Sequence, residues 1–110
     1  MASGLRIIPE TIRSIDSATF TGSFQAIGTP LSYACCLIKF VNNSNSLVSI
    51  SWDGVNTHDI LPGNSFTLYD VCSDAGTNRG LYAAQGIQFW VSGLASTGLV
   101  YLVAFHTSEY

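Results

Sequence analysis

The stretch Leu99-Val100-Tyr101-Leu102-Val103-Ala104-Phe105 is an unbroken apolar run. A half-buried strand alternates apolar and polar side chains, because successive residues point to opposite faces. A continuous run demands apolar cover on both faces. A second strand-like segment, Ile87-Gln88-Phe89-Trp90-Val91, stands shortly before it. The run is far shorter than the roughly 18 apolar residues that cross a bilayer, and no other segment reaches that length. It reads as the central strand of a sandwich, with a second sheet over one face. In a chain of 110 residues, another subunit is a further source of cover.

From Ser17 onward, short strand-like segments alternate with turn signals, the pattern of an all-β sandwich or jelly-roll-like domain. Thr19 to Ile27 ends at Gly28-Thr29-Pro30. Cys35 to Val41 follows, with Cys36, Ile38 and Phe40 on one face and Lys39 on the other. Asn42-Asn43-Ser44-Asn45-Ser46 then turns the chain, since Asn side chains mimic backbone hydrogen bonds. Leu47 to Trp52 alternates, with Val48, Ile50 and Trp52 inward and Ser49 and Ser51 outward. Asp53-Gly54 predicts a type I′ hairpin. A brief strand to Ile60, the turn Leu61-Pro62-Gly63-Asn64 and a strand over Ser65 to Val71 come next. A polar loop over 72–80 precedes the closing strands, 86–92 and 98–106. The expectation is one all-β domain over residues 17–110, with about seven or eight antiparallel strands. Residues 1–16, with Pro9 among Ile7, Ile8, Ile12 and Ile15, read as an N-terminal arm. That arm is either docked loosely on its own domain or laid across a neighbouring subunit.

Composition narrows the function. Charged residues make up 10% of the chain, against roughly 25% in ordinary globular proteins. The surface is therefore neutral and offers little repulsion between copies, which favours an oligomer or larger assembly. The basic residues are Arg6, Arg13, Lys39 and Arg79, and the net charge is −3. Nucleic-acid binding needs clustered cations and is not expected. No membrane partner is expected either. The start of the chain lacks the apolar stretch of a signal peptide, so the protein is expected to stay where it is made. Cys35, Cys36 and Cys72 lack the spacing of a zinc motif and read as reduced, packing cysteines.

No catalytic, cofactor-binding or metal-binding residue is nominated. His58-Asp59 resembles two members of a hydrolytic triad, but neighbours on a strand face opposite ways. Both His58 and His106 read as surface or interface residues. Asp53, Asp59, Asp70 and Asp74 match no calcium loop. Asn42-Asn43-Ser44 is a glycosylation sequon without a secretory signal. The aromatic set Tyr33, Tyr69, Tyr82, Trp90, Tyr101 and Tyr110 leaves open a sugar-stacking site, against a role in the core and in subunit contacts. Candidate protein-contact residues are Arg6, Ile7, Ile8 and Arg13 on the arm, and Trp90 on the face opposite Phe89.

One pattern extends over roughly residues 20–105. It comprises Phe40-Val41-Asn42-Asn43-Ser44, Val48-Ser49-Ile50-Ser51-Trp52-Asp53-Gly54, His58-Asp59-Ile60-Leu61-Pro62, Tyr69-Asp70-Val71 and Gly98-Leu99-Val100-Tyr101-Leu102. It resembles small virion structural proteins of tailed bacteriophages. Cys35-Cys36 departs from that pattern. The resemblance implies a non-enzymatic β-sandwich subunit without cofactors, made in the host bacterial cytoplasm and carried on the virion. The leading expectation is a capsid decoration (cement) protein whose partner is the major capsid protein. The alternatives are a neck, connector or tail-adaptor subunit bound to other virion proteins, and a carbohydrate-binding module that touches the host surface.

Overall fold

The computed structural model describes residues 5–70 and 83–109, with side chains over 7–70 and 83–106. Within them the chain forms β1 (Leu5–Pro9), β2 (Arg13–Asp16), a 3-10 turn (Ser17–Thr19), β3 (Gln25–Ala26), β4 (Leu37–Asn42), β5 (Val48–Ser51), β6 (Asp59–Leu61), β7 (Ser65–Asp70), β8 (Trp90–Ser92) and β9 (Leu99–Glu109). Two antiparallel sheets result. The larger runs β1-β9-β4-β7 with β2 also on β9, and the smaller runs β3-β8-β5-β6. The all-β sandwich follows, with no α-helix among the described residues. The loop expected over 72–80 lies outside the described residues.

The apolar run is indeed a central strand. β9 pairs with β4 from Val100 to Phe105 on one side. On the other side it pairs with β2 from Leu99 to Leu102 and with β1 from Phe105 to Glu109. The N-terminal segment is thus tied into the sheet from Leu5 onward, as two strands set end to end along β9. Pro9 falls at the last position of β1, where its missing N–H interrupts no central ladder.

Val100, Leu102 and Ala104 of β9 point between the sheets and are fully buried. Ile38 and Phe40 of β4 meet them there, facing Val48 and Ile50 of β5, Val91 of β8 and Phe89 just before it. Phe89 sits at the centre, edge-on to Phe40 (5.4 Å between ring centres) and to Trp52 (4.7 Å). Such edge-to-face pairs direct the positive ring edge at the negative face and add about 0.5–1.5 kcal/mol each beyond burial.

Several local expectations change. The strand expected over Thr19 to Ile27 contracts to Gln25–Ala26, and Ser17–Thr19 is a 3-10 turn capped by Asp16, whose carboxylate accepts from Ala18 N–H (2.9 Å). β5 and β6 do form a hairpin, but not through a type I′ turn, because Asp53 lacks the positive φ such a turn requires. Residues 52–58 instead make a wider loop. The Asp53 carboxylate accepts from Val55 N–H (2.8 Å), Asn56 N–H (2.9 Å) and Asn56 Nδ2 (3.0 Å). This loop folds back over Ser51, which stands on the outer face as expected but is fully buried there. Gly54 has φ +79°, and a Cβ there would lie 2.9 Å from the Trp90 ring.

Asn42 closes β4 as expected of a turn former, but from a fully buried position. Its amide donates toward the carbonyls of Ser46 (2.8 Å), Leu61 (3.2 Å) and Pro62 (3.2 Å). Its Oδ1 accepts from Ser44 N–H (3.0 Å) and Ser44 Oγ (2.6 Å). One side chain thus fixes the β4–β5 loop onto the β6–β7 turn, and the sequon is closed to modification in the folded chain. The cysteines also depart from the reduced set expected. Cys36 is disulfide-bonded, while Cys35 is a buried free thiol. Both neighbours are buried because Cys35 makes a separate bridge to Ala83 ahead of β4, with a bend between them.

Candidate functional site

Strand register assigns every side chain to a face, since directly opposed residues share one. Outward on the larger sheet, Leu37, Lys39 and Val41 of β4 stand beside Phe105, Val103 and Tyr101 of β9. On the far side of β4, Leu68 opposes Lys39 and Phe66 opposes Val41. On the far side of β9, Pro9 opposes Phe105, with Ile7 next along β1. Among the described residues no strand packs across this face. Phe66 is 62% exposed, Ile7 56% and Leu68 46%. Lys39 Nζ lies 5.2 Å from the centre of the Phe66 ring, so even the cation at its middle leans on an aromatic. The outer face of the smaller sheet differs, with Ser49 opposite Ser92 and Ser51 opposite Trp90.

A second cluster lies where β1 gives way to β2. Glu10, in the short break between them, is nearly enclosed (5% side-chain exposure). Its Oε1 accepts from Arg13 Nη2 (2.8 Å) and Ser32 N–H (3.2 Å), and its Oε2 from Tyr33 N–H (3.0 Å). Cys35 Sγ is 3.4 Å from Oε2, and His106 Nδ1 is 4.0 Å from it. The Tyr33 ring stacks on the imidazole at 4.2 Å. A cavity of about 720 Å³ opens over the cluster, lined by Glu10, Arg13, Tyr33 and His106 among others.

The electrostatics argue against an activated nucleophile. Burial, the hydrogen bond to Glu10 and that carboxylate's charge push the Cys35 thiol up to about 12, whereas a nucleophilic cysteine needs its thiolate favoured. Burial pulls the Glu10 carboxyl upward, but hydrogen bonds from Arg13, Ser32, Cys35 and Tyr33 outweigh it and hold the group below its ordinary value. Elsewhere, the Asp53 carboxyl is held far below the usual range, first by the Asn56 and Val55 N–H groups. Burial raises the Tyr69 phenol, and the hydrogen bond it donates to Asp59 raises it further.

The sequence-nominated residues separate. Ile7 stands on the exposed apolar face, while Ile8, opposite His106, turns toward the cavity and is half-buried. Arg6 pairs with Ser108 through the backbone, and its side chain lies outside the described residues. Arg13 is 7% exposed and spends its donors within the chain, on Thr29 O (2.7 Å), Pro30 O (2.9 Å) and Glu10. It holds the fold rather than a partner. Trp90 is half-buried, with its ring beside Gly54. His58 is exposed and accepts from Trp52 N–H (3.1 Å), while Asp59 turns to Tyr69, so the two do not meet. His106, expected at the surface or in an interface, is 9% exposed.

The cluster escaped the sequence reading because Glu10, Cys35 and His106 come from distant segments, and only the pairing of β1 with β9 brings them together. The apolar face was more accessible. The alternation Phe66-Thr67-Leu68-Tyr69 carried it, but either face of that strand qualified as inward. Comparison with protein-family models, with curated proteins and with solved structures gives no match for this chain.

Proposed function

We propose that the chain is a non-enzymatic structural subunit of a phage particle, a capsid decoration protein that seats the outer face of its larger sheet on the major capsid protein. The observation that carries this reading is the apolar face built from β1, β9, β4 and β7, across which no described strand packs. The largest contiguous apolar patch of a typical monomer covers about 300–600 Å² and is often functional. Four strands about 4.8 Å apart and some five residues long give roughly 300 Å² in projection. Stable pairwise interfaces bury about 800 Å² per partner. The face is therefore sized for weak contacts repeated many times over a shell, where multivalency supplies the strength. The sparse charge and the resemblance to tailed-phage virion proteins support the same reading.

The test is direct. Purified particles should contain the protein at shell copy number, and particles lacking it should lose heat resistance. Phe66→Asp with Leu68→Ser should abolish rebinding to such particles without unfolding the chain. Absence from purified particles, or undiminished rebinding by the double variant, refutes the proposal. A copy number matching the portal axis would instead support a neck or tail-adaptor subunit.

A further inference from the structure

We propose that Glu10, Cys35 and His106 form a binding site for a divalent zinc-class cation, independent of the docking face. The three supply one carboxylate oxygen, one sulfur and one imidazole nitrogen, all within 4.8 Å of one another. Zinc takes such donors at about 2.0–2.3 Å in tetrahedral geometry, which sets neighbouring ligand atoms roughly 3.3–3.7 Å apart. Of the observed separations from Oε2, 3.4 Å to Cys35 Sγ already lies in that range, and 4.0 Å to His106 Nδ1 must contract by roughly 0.5 Å.

The independent sign is His106. Its Nδ1 is buried without a hydrogen-bond partner and faces Oε2. A buried polar nitrogen costs free energy unless something satisfies it, and a cation does so. The surrounding bonds already orient the ligands in the manner of metal sites. Arg13 and Ser32 occupy Oε1, Tyr33 N–H takes one side of Oε2 and its other side faces the cluster, while the Tyr33 ring braces the imidazole. The cation displaces the Cys35 thiol proton to solvent and takes its place between Sγ and Oε2. Thiolate and carboxylate then supply two negative charges, one of them shared with the Arg13 guanidinium on Oε1. The cavity beside Glu10 and His106 gives water access to the fourth position. Because the ligands come from the β1–β2 break, the bridge before β4 and the strand β9, the cation would clip three separate segments together.

The experiment uses the full chain without reductant, titrated with Co²⁺ as a spectroscopic probe and with Zn²⁺ against a chromophoric chelator. The expected result is one metal per chain, a thiolate-to-cobalt charge-transfer band, release of about one proton per metal and a higher melting temperature with zinc. Cys35→Ser should lose the band, and His106→Gln should weaken binding at least about tenfold. Each variant's metal-free melting curve reports whether it still folds. If Cys35→Ser does not fold, His106→Gln and the proton count of the native chain decide. Absence of binding by the native chain overturns the proposal. So does a charge-transfer band that survives in Cys35→Ser, or unchanged affinity in His106→Gln.

Discussion

Replacing Asn42 with Ala removes a side chain that is fully buried and bonded at both ends of its amide. Its two N–H groups serve three carbonyls, and its oxygen receives two donors from Ser44. About four hydrogen bonds are lost, each with a net value near 1 kcal/mol, and donors or acceptors left dry add to the loss. Ser46 is half-buried, so water recovers part of it. The expected destabilisation is about 3–5 kcal/mol, a large part of the roughly 5–15 kcal/mol of a typical domain. At about 4 °C per kcal/mol for a chain of this size, the melting temperature should fall by about 12–20 °C. Urea unfolding should show a lower midpoint with an unchanged slope. Asn42→Asp provides a sharper check. It keeps the acceptor for Ser44 but sets a carboxylate oxygen against the three carbonyls. That environment raises its folded-state pKa above the unfolded value, so its stabilising form is the protonated one. The deficit relative to the native chain should therefore shrink as pH falls through the raised pKa. A loss below about 1 kcal/mol for Asn42→Ala, or a pH-independent deficit for Asn42→Asp, would refute the assigned role.

Other outcomes follow from the same structure. Glu10 has a folded-state pKa below its ordinary value, so its contribution is present above the unfolded pKa and lost as pH falls through the folded one. Glu10→Gln should accordingly flatten the acid limb of the stability–pH curve, measured by chemical denaturation. Tyr69 and Cys35 have raised values, so their contribution is complete below the unfolded pKa and declines as pH rises beyond it. Tyr69→Phe should reduce the alkaline decline. Gly98→Ala should melt well below the native chain, because φ there is +106° and the added Cβ would lie 2.2 Å from Asn43 O. Phe66→Ser should leave the melting temperature nearly unchanged, since the ring is largely exposed; a large drop would mean that the ring belongs to the core.

Much of the sandwich was legible because period-two patterning survives tertiary packing. Ile38, Phe40, Val48 and Ile50 point inward as their alternation indicates. What was hidden involved long-range pairing. Pro9 and the scattered isoleucines looked like an arm because nothing local shows that β9 has a free edge to receive them. Arg13 looked available for a partner, since a sequence cannot display the carbonyls of Thr29 and Pro30 that enclose its guanidinium. The Asp53-Gly54 pair gave the correct hairpin through the wrong turn, because the carboxylate captures N–H groups downstream instead of adopting positive φ.

The position of β9 also governs how the chain reaches its fold. Its partners β1, β2 and β4 all lie in the first half of the sequence, and Leu5 meets Glu109 from the opposite end of the described chain. Among the described strands of the larger sheet, only the pairing of β4 with β7 forms without it. Closing such long loops is entropically slow, and topologies dominated by distant pairings fold in milliseconds to seconds. During that interval β4 carries an open edge and the apolar run of β9 is unsheltered. Crowded, high-level synthesis therefore exposes the segment most able to join another copy's edge. The strand that completes the native sheet is also the one that an unfinished chain would offer to another copy's edge.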